Sequence, residues 1–196
     1  MDFTKEINGH TLEYFDDGHI YLVDGCMVPS VTELLSHKFG RKYEGVSSDV
    51  LRARAKEGTE VHEAIENLCK TGEMADLPEI RNFLFLKKMF KFDVMDNEVP
   101  VILFHASEPI AAGRLDLVLN KGGKLGLADI KRTSVLDKDY LCYQLNIYKI
   151  AYEQCYYKDI DFLAGIHLKE DKRRFVPIPI NGEMAWEFIA EYLRSR

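Results

Sequence analysis

The sequence predicts an α/β domain, one mixed central β-sheet with helices on both faces. Three observations predict it. Helix-type periodicity fills the stretches near 47–70 and 76–91. Three β-type runs then follow one another between 98 and 131 with no helix among them. A further helical stretch leads to two more β-type runs and a last helix. A group of strands with helices before and after it implies cover on both faces of the sheet. At 196 residues, 46% of them hydrophobic and 11% aromatic, the chain suits a single domain over 1–196. Within it, 1–45 reads as a hairpin and a short helix, 46–175 as the core, and 176–196 as a closing strand and helix.

In chain order, "HTLEYFDDGHIYLVDG" alternates apolar positions on either side of Asp17-Gly18, the pattern of a hairpin, expected here as an N-terminal flap. Ser30 in "VPSVTELLSH" is placed to cap a short helix, and Ser47 or Ser48 to cap a longer one running to about Lys70. In "ADLPEIRNFLFLKKMF", 76–91, Ile80, Phe83, Leu84 and Phe90 fall at helical spacing, and Pro78 lies early enough for a first turn. "EVPVILFHA", "GRLDLVLN" and "KLGLADIK" read as strands and 136–157 as a long amphipathic helix. "DFLAGIHLK", "RFVPIPI" and a helix containing Trp186 complete the chain.

Composition narrows the function. A formal charge of −6 gives no global attraction to phosphates, so a nucleic-acid role would rest on local basic patches or bound cations. Cys26, Cys69, Cys142 and Cys155 form no C-x-x-C pair, which suits free thiols in a reducing compartment better than disulfides or a zinc site. No apolar run approaches the roughly 18 residues of a membrane helix, and the N-terminus lacks a secretory pattern. The expectation is a cytoplasmic protein with no membrane partner.

Two aspartates stand out because they interrupt apolar strands. Side chains alternate along a strand, so Leu125, Leu127, Asp129 and Lys131 share one face. With a two-residue turn at Lys121-Gly122, Asp116 would pair with Leu127 and lie diagonal to Asp129, roughly 7–8 Å away. Two carboxylates converging in an apolar sheet need compensation, because burial and like charge both favour protonation. A hard divalent cation is the simplest compensation, and an adjacent lysine suits an anionic reactant. Together these suggest metal-assisted phosphodiester hydrolysis, although an isolated D-x-K recurs by chance and also fits a strand-end ion pair.

Four motifs stand in a set order: "GTEVH" at 58–62 on a helix, "GRLD" at 113–116, "DIK" at 129–131 and "QLNIY" at 144–148 on the following helix. In this order the sequence resembles the RecB-like and phage exonuclease branch of the PD-(D/E)XK nuclease superfamily. The resemblance covers the middle of the chain. "YLVDGCMVPSVTELL" also looks like the opening of some phage exonuclease-like proteins.

The resemblance implies a restriction-endonuclease-like core and a Mg²⁺- or Mn²⁺-dependent DNA exonuclease of phage or bacterial recombination or repair. It makes His62, Asp116 and Asp129 metal ligands, with the backbone carbonyl of Ile130 and Glu98 as further candidates. Gly58, one helical turn before His62, would let the helix approach the site. Lys131 would position the attacking water or offset transition-state charge, and Gln144 and Tyr148 would orient that lysine or a phosphate. Tyr140 and Tyr152 extend the same stripe and also suit an aromatic packing seam.

Some relatives carry an iron-sulfur cluster, but no cysteine follows Cys155, so none is expected here. Candidate DNA contacts are Arg41, Lys42, Lys87, Lys88, Lys91, Lys172, Arg173 and Arg174, all in charge runs that are usually solvated faces. With no helicase domain in the sequence, DNA unwinding would fall to a recombination partner or a homo-oligomer. The alternatives are a structure-specific endonuclease, a catalytically silent nucleic-acid-binding or assembly module of the same fold, and an unrelated metalloenzyme using His62, His105 or His167.

Overall fold

The computed structural model describes residues 2–40 and 48–195, without the side chains of residues 48–57. Its centre is a five-stranded mixed sheet in the order β5 (Asp93–His105), β6 (Glu108–Lys121), β7 (Lys124–Lys131), β8 (Phe162–Lys169) and β9 (Lys172–Ile178). Neighbours are antiparallel except β7 and β8. The parallel pair needs a crossover, which α4 (Lys138–Tyr156) supplies, its first turn capped by Asp137.

Alternation along the strands divides the apolar residues between two cores. Val118, Leu127 and Leu163 face Leu141 and Leu145 of α4 and the helix α5 (Gly182–Arg194). Leu117, Ala128 and Ile166 face the opposite way, against α2 (Ser48–Thr71) and α3 (Pro78–Phe90) through Val61, Ile65, Ile80 and Phe83. The expected α/β arrangement with both faces covered is present. Among the described residues, no helix is long and apolar enough to cross a membrane.

The N-terminal region is more than a flap. β1 (Phe3–Ile7), β2 (His10–Phe15), β3 (Ile20–Val23) and β4 (Cys26–Val28) form an antiparallel meander. Its Leu12, Tyr14, Tyr21 and Val23 are buried in the same core as α4. Helix α1 (Val31–Phe39) opens on a capping box, with Glu33 N donating to Ser30 Oγ at 3.0 Å and Ser30 N to Glu33 Oε2 at 2.7 Å. Ala112 N donates to Pro29 O at 3.0 Å and joins this region to β6. The cap expected at Ser47 lies outside the described residues.

The β6–β7 turn differs from the expected one. Lys121 pairs with Lys124, so the turn residues are Gly122 and Gly123, at φ 61° and 82°. A two-residue turn of this hand needs positive φ at both positions, which two glycines supply and Lys121 would resist. Moving the turn by one residue changes the pairing by two, so Asp116 keeps its face. The ladder runs from this turn to Leu117↔Ala128, and continuing its register would set Asp116 directly opposite Asp129 rather than diagonal to it. Instead the backbones part. Asp116 Oδ2 accepts the Ile130 N–H at 2.6 Å, a side chain taking the place of a strand carbonyl.

Candidate active site

A cleft of about 480 Å³ opens at this fork. Strands β5–β7 supply Glu98, Asp116 and Asp129, α2 supplies His62, and α4 supplies Gln144 and Tyr148. Asp16 and His19 of the β2–β3 turn and Tyr21 of β3 close another side, a contribution the sequence reading missed. At Gly58 nothing described lies within 4 Å of where a Cβ would stand, so close packing is not its reason here.

His62, Glu98 and Asp116 bring one ligand atom each within 4.8 Å of one another. His62 Nε2 lies 3.1 Å from the Ile130 carbonyl oxygen, and its Nδ1 is 3.6 Å from Asp116 Oδ1 and 3.8 Å from Glu98 Oε1. Glu98 reaches this position from a backbone at φ 50°, left-handed within a strand. That conformation costs a non-glycine residue on the order of 1 kcal/mol and concentrates at functional sites. Asp129 stands beside this trio. Its Oδ2 lies 2.7 Å from Lys131 Nζ, an ion pair outside hydrogen-bond alignment.

Burial and mutual charge set the protonation of the cluster. Burial, then the Glu98 charge, holds the Asp116 carboxyl above its usual range against the pull of His62 and Lys131. Burial together with Asp116 raises Asp129 to about 6, despite Lys131. For His62 burial opposes the charged form, but the Asp116, Glu98 and Asp129 carboxylates outweigh it and push its pKa up to about 9. Lys131 is likewise held above its ordinary value by Asp129 and Asp116, against burial. Both carboxyls resist ionisation chiefly because they are buried, while both bases retain protons because carboxylates face them. Carboxylate oxygens with an imidazole and a nearby carbonyl form a donor set that fits a hard divalent cation.

Helix α4 aims two of its residues at the cleft. Gln144 is 6% exposed, and its Oε1 has no hydrogen-bond partner. Tyr148 is buried, its hydroxyl pKa raised by that burial. Tyr148 lies over Gly113, where a Cβ would come within 2.9 Å of Cε1 and 3.0 Å of Oη. The glycine of "GRLD" and the tyrosine of "QLNIY" therefore depend on each other. Tyr140 and Tyr152 pack instead, against Phe39 at 5.3 Å and Tyr156 at 4.8 Å between ring centroids.

Other candidates lie elsewhere. Lys87 and Lys88 sit on α3, on the sheet face opposite α4, with Lys91 at its C-terminal cap, and Lys87 pairs with Asp93 at 3.4 Å. Arg173 stacks its guanidinium over Phe85, 3.9 Å from the ring centroid, and Arg174 is opposite His167 in the β8–β9 ladder. Lys172 Nζ donates to Ser134 O at 2.7 Å, just beyond Lys131 in the chain. None of these lines the cleft. Arg41 and Lys42 lie outside the described residues. His167 is buried, its Nε2 2.6 Å from Thr133 O, and His105 lies beside Trp186, so neither joins the cluster.

The residue most clearly missed is Arg114, two positions before Asp116 and on the same strand face. Its signal was present in "GRLD", but its partner Glu98 belongs to a neighbouring strand whose register the sequence does not state.

No family model and no curated protein matches this chain. Among solved structures, that of SSO0001 is similar, with a TM-score of 0.48 at 16% identity, covering 86% of this chain and 76% of that one.

Proposed function

We propose that this protein is a divalent-metal-dependent DNA nuclease of PD-(D/E)XK type with a restriction-endonuclease-like core, acting as an exonuclease in recombination or repair. The observation that carries the proposal is the meeting of Asp116, Glu98 and His62 at the β6–β7 fork, beside the Lys131–Asp129 pair. The order of helix, strand, strand and helix supports it, since α2, β6, β7 and α4 carry the four motifs in turn. The preference for an exonuclease rests on the sequence resemblance.

Asp116, Glu98 and His62 would hold the ion, with the Ile130 carbonyl and Asp129 next to them. Bound magnesium or manganese would polarise a phosphate oxygen and ease deprotonation of water. Asp129 fixes Lys131 at 2.7 Å, so the ammonium is held beside the carboxylates, where it can orient an attacking water or offset charge developing on the phosphate. Gln144 brings an unpaired carbonyl oxygen to the same wall, suited to accept from that ammonium or from water.

The test is end-labelled linear and circular DNA, single- and double-stranded, with Mg²⁺ or Mn²⁺. Release of nucleotides from ends is expected, reduced by about a hundredfold or more in Lys131→Ala. Cutting of circles would make the enzyme an endonuclease. Binding without cleavage in either ion would overturn the nuclease reading in favour of a silent module.

A further inference from the structure

Arg114 is restrained from two sides. Its Nε lies 2.5 Å from Glu98 Oε2, and its guanidinium carbon is 5.3 Å from the centroid of the Tyr14 ring. Tyr14 is buried and fixed in turn by hydrogen bonds of its hydroxyl with Asp16 at 3.0 Å and His19 at 2.9 Å. Neither terminal nitrogen of Arg114 donates a hydrogen bond among the described residues, although the side chain lines the cleft and is only 32% exposed.

An arginine whose sole task was to neutralise Glu98 would gain most from a two-nitrogen contact with that carboxylate. Here the nearest contact with Glu98 is through Nε, an ion pair outside hydrogen-bond alignment, and the terminal nitrogens form no two-pronged hydrogen bond with that carboxylate. A planar fork of N–H donors, held by an anion and an aromatic face, matches the oxygens of a phosphate group. Its position two residues from Asp116 places the fork next to the carboxylate cluster.

We infer that Arg114 binds non-bridging phosphate oxygens of a nucleic-acid strand lying in the cleft, oriented for this by Glu98 and by Tyr14 of the N-terminal sheet. As a statement about substrate the inference rests on the nuclease reading, but phosphate binding can be measured without cleavage. The N-terminal meander then belongs to the substrate site, because it supplies the ring that holds the guanidinium.

The probe is thymidine 3′,5′-bisphosphate, titrated calorimetrically into wild type, Arg114→Lys and Arg114→Gln, without metal and with Ca²⁺. Arg114→Lys keeps the charge and the Glu98 ion pair while losing the fork and the stacking face. It is expected to weaken the bisphosphate about tenfold and to leave Ca²⁺ affinity within about twofold, whereas a role confined to steadying Glu98 would shift the metal affinity instead. Arg114→Gln is expected to weaken the bisphosphate further. Thermal melts establish that both variants fold, and each tests the inference by itself. Equal bisphosphate affinity in the variants and wild type, or no binding to wild type, overturns the inference. Arg114-dependent binding with no cleavage in Mg²⁺ or Mn²⁺ sustains the phosphate site and removes the nuclease reading alone.

Discussion

Gly113 shows how single positions in the sequence answer to distant ones. A methyl group there would meet the Tyr148 ring at 2.9 Å and Val31 Cγ2 at 3.3 Å, both in the packed interior. Gly113→Ala is therefore expected to destabilise the protein by about 1–3 kcal/mol, as overpacking does, and to lower cleavage by displacing Tyr148. Urea denaturation and the end-labelled assay measure the two effects; unchanged values in both would mean Tyr148 yields without consequence. Spacing along one strand or one helix showed that Asp129 and Lys131, and Gln144 and Tyr148, share a face, while their proposed roles, with that of Asp116, came from the resemblance of the ordered motifs. Arg114 was not, since its meaning comes from Glu98 and Tyr14, on two other strands. Glu98 itself was only loosely indicated, because its placement depends on a left-handed backbone that no local pattern announces.

At the scale of elements, the outer edge of β5 offers a second case of function hidden from local pattern. An edge strand exposes unpaired backbone groups that invite pairing with another chain. Here the end of α4 covers them. Gln154 accepts from Phe104 N at 2.9 Å and donates to Phe104 O at 3.0 Å. The Cys155 thiol takes Ile102 N and O, each at 3.2 Å, and the Tyr156 hydroxyl donates to Pro100 O at 2.7 Å. Three consecutive helix residues thus imitate a neighbouring strand. Cys155 is buried by this role, which pushes its thiol up to about 11 and makes it a poor nucleophile. Gln154→Ala strips both Phe104 groups of partners and is expected to cost about 1–3 kcal/mol and to promote self-association. Denaturation and sedimentation velocity check this; an equally stable, monodisperse variant would show that solvent replaces the amide. The sequence indicated β7 at its observed bounds and α4 within two residues. It missed the first five residues of β5, where "DVMDN" lacks alternation. It also missed the first five residues of β6, where Pro109 resembles a loop residue, and began that strand at Gly113.

Across the whole molecule, two apolar cores lie on opposite faces of one sheet, and the charged cluster occupies the place where β6 and β7 part. Folding therefore buries carboxyls against His62 and Lys131, so their protonation states are tied to one another. For His62, with a folded pKa of about 9 against an ordinary 6.5, the stabilisation is complete below 6.5 and is lost as pH rises through 9. For Asp129, at about 6 against 3.8, the cost of ionising the folded state appears as pH rises above 3.8 and is complete above 6. Both shifts make the metal-free protein less stable at alkaline pH. A divalent ion acts in the opposite sense, because it needs those donors deprotonated and stabilises the folded state that assembles them. The gain in melting temperature on replacing EDTA with Mg²⁺ is accordingly expected to be small at pH 6 and larger at pH 9. His62→Gln removes the titrating imidazole and should flatten that rise, leaving a gain at pH 6 closer to that at pH 9. Melts in both conditions across this range decide the matter. A metal-induced shift of equal size at pH 6 and pH 9 would show that the ion does not bind where these protons sit, and would separate the acidic fork from any metal chemistry of the protein.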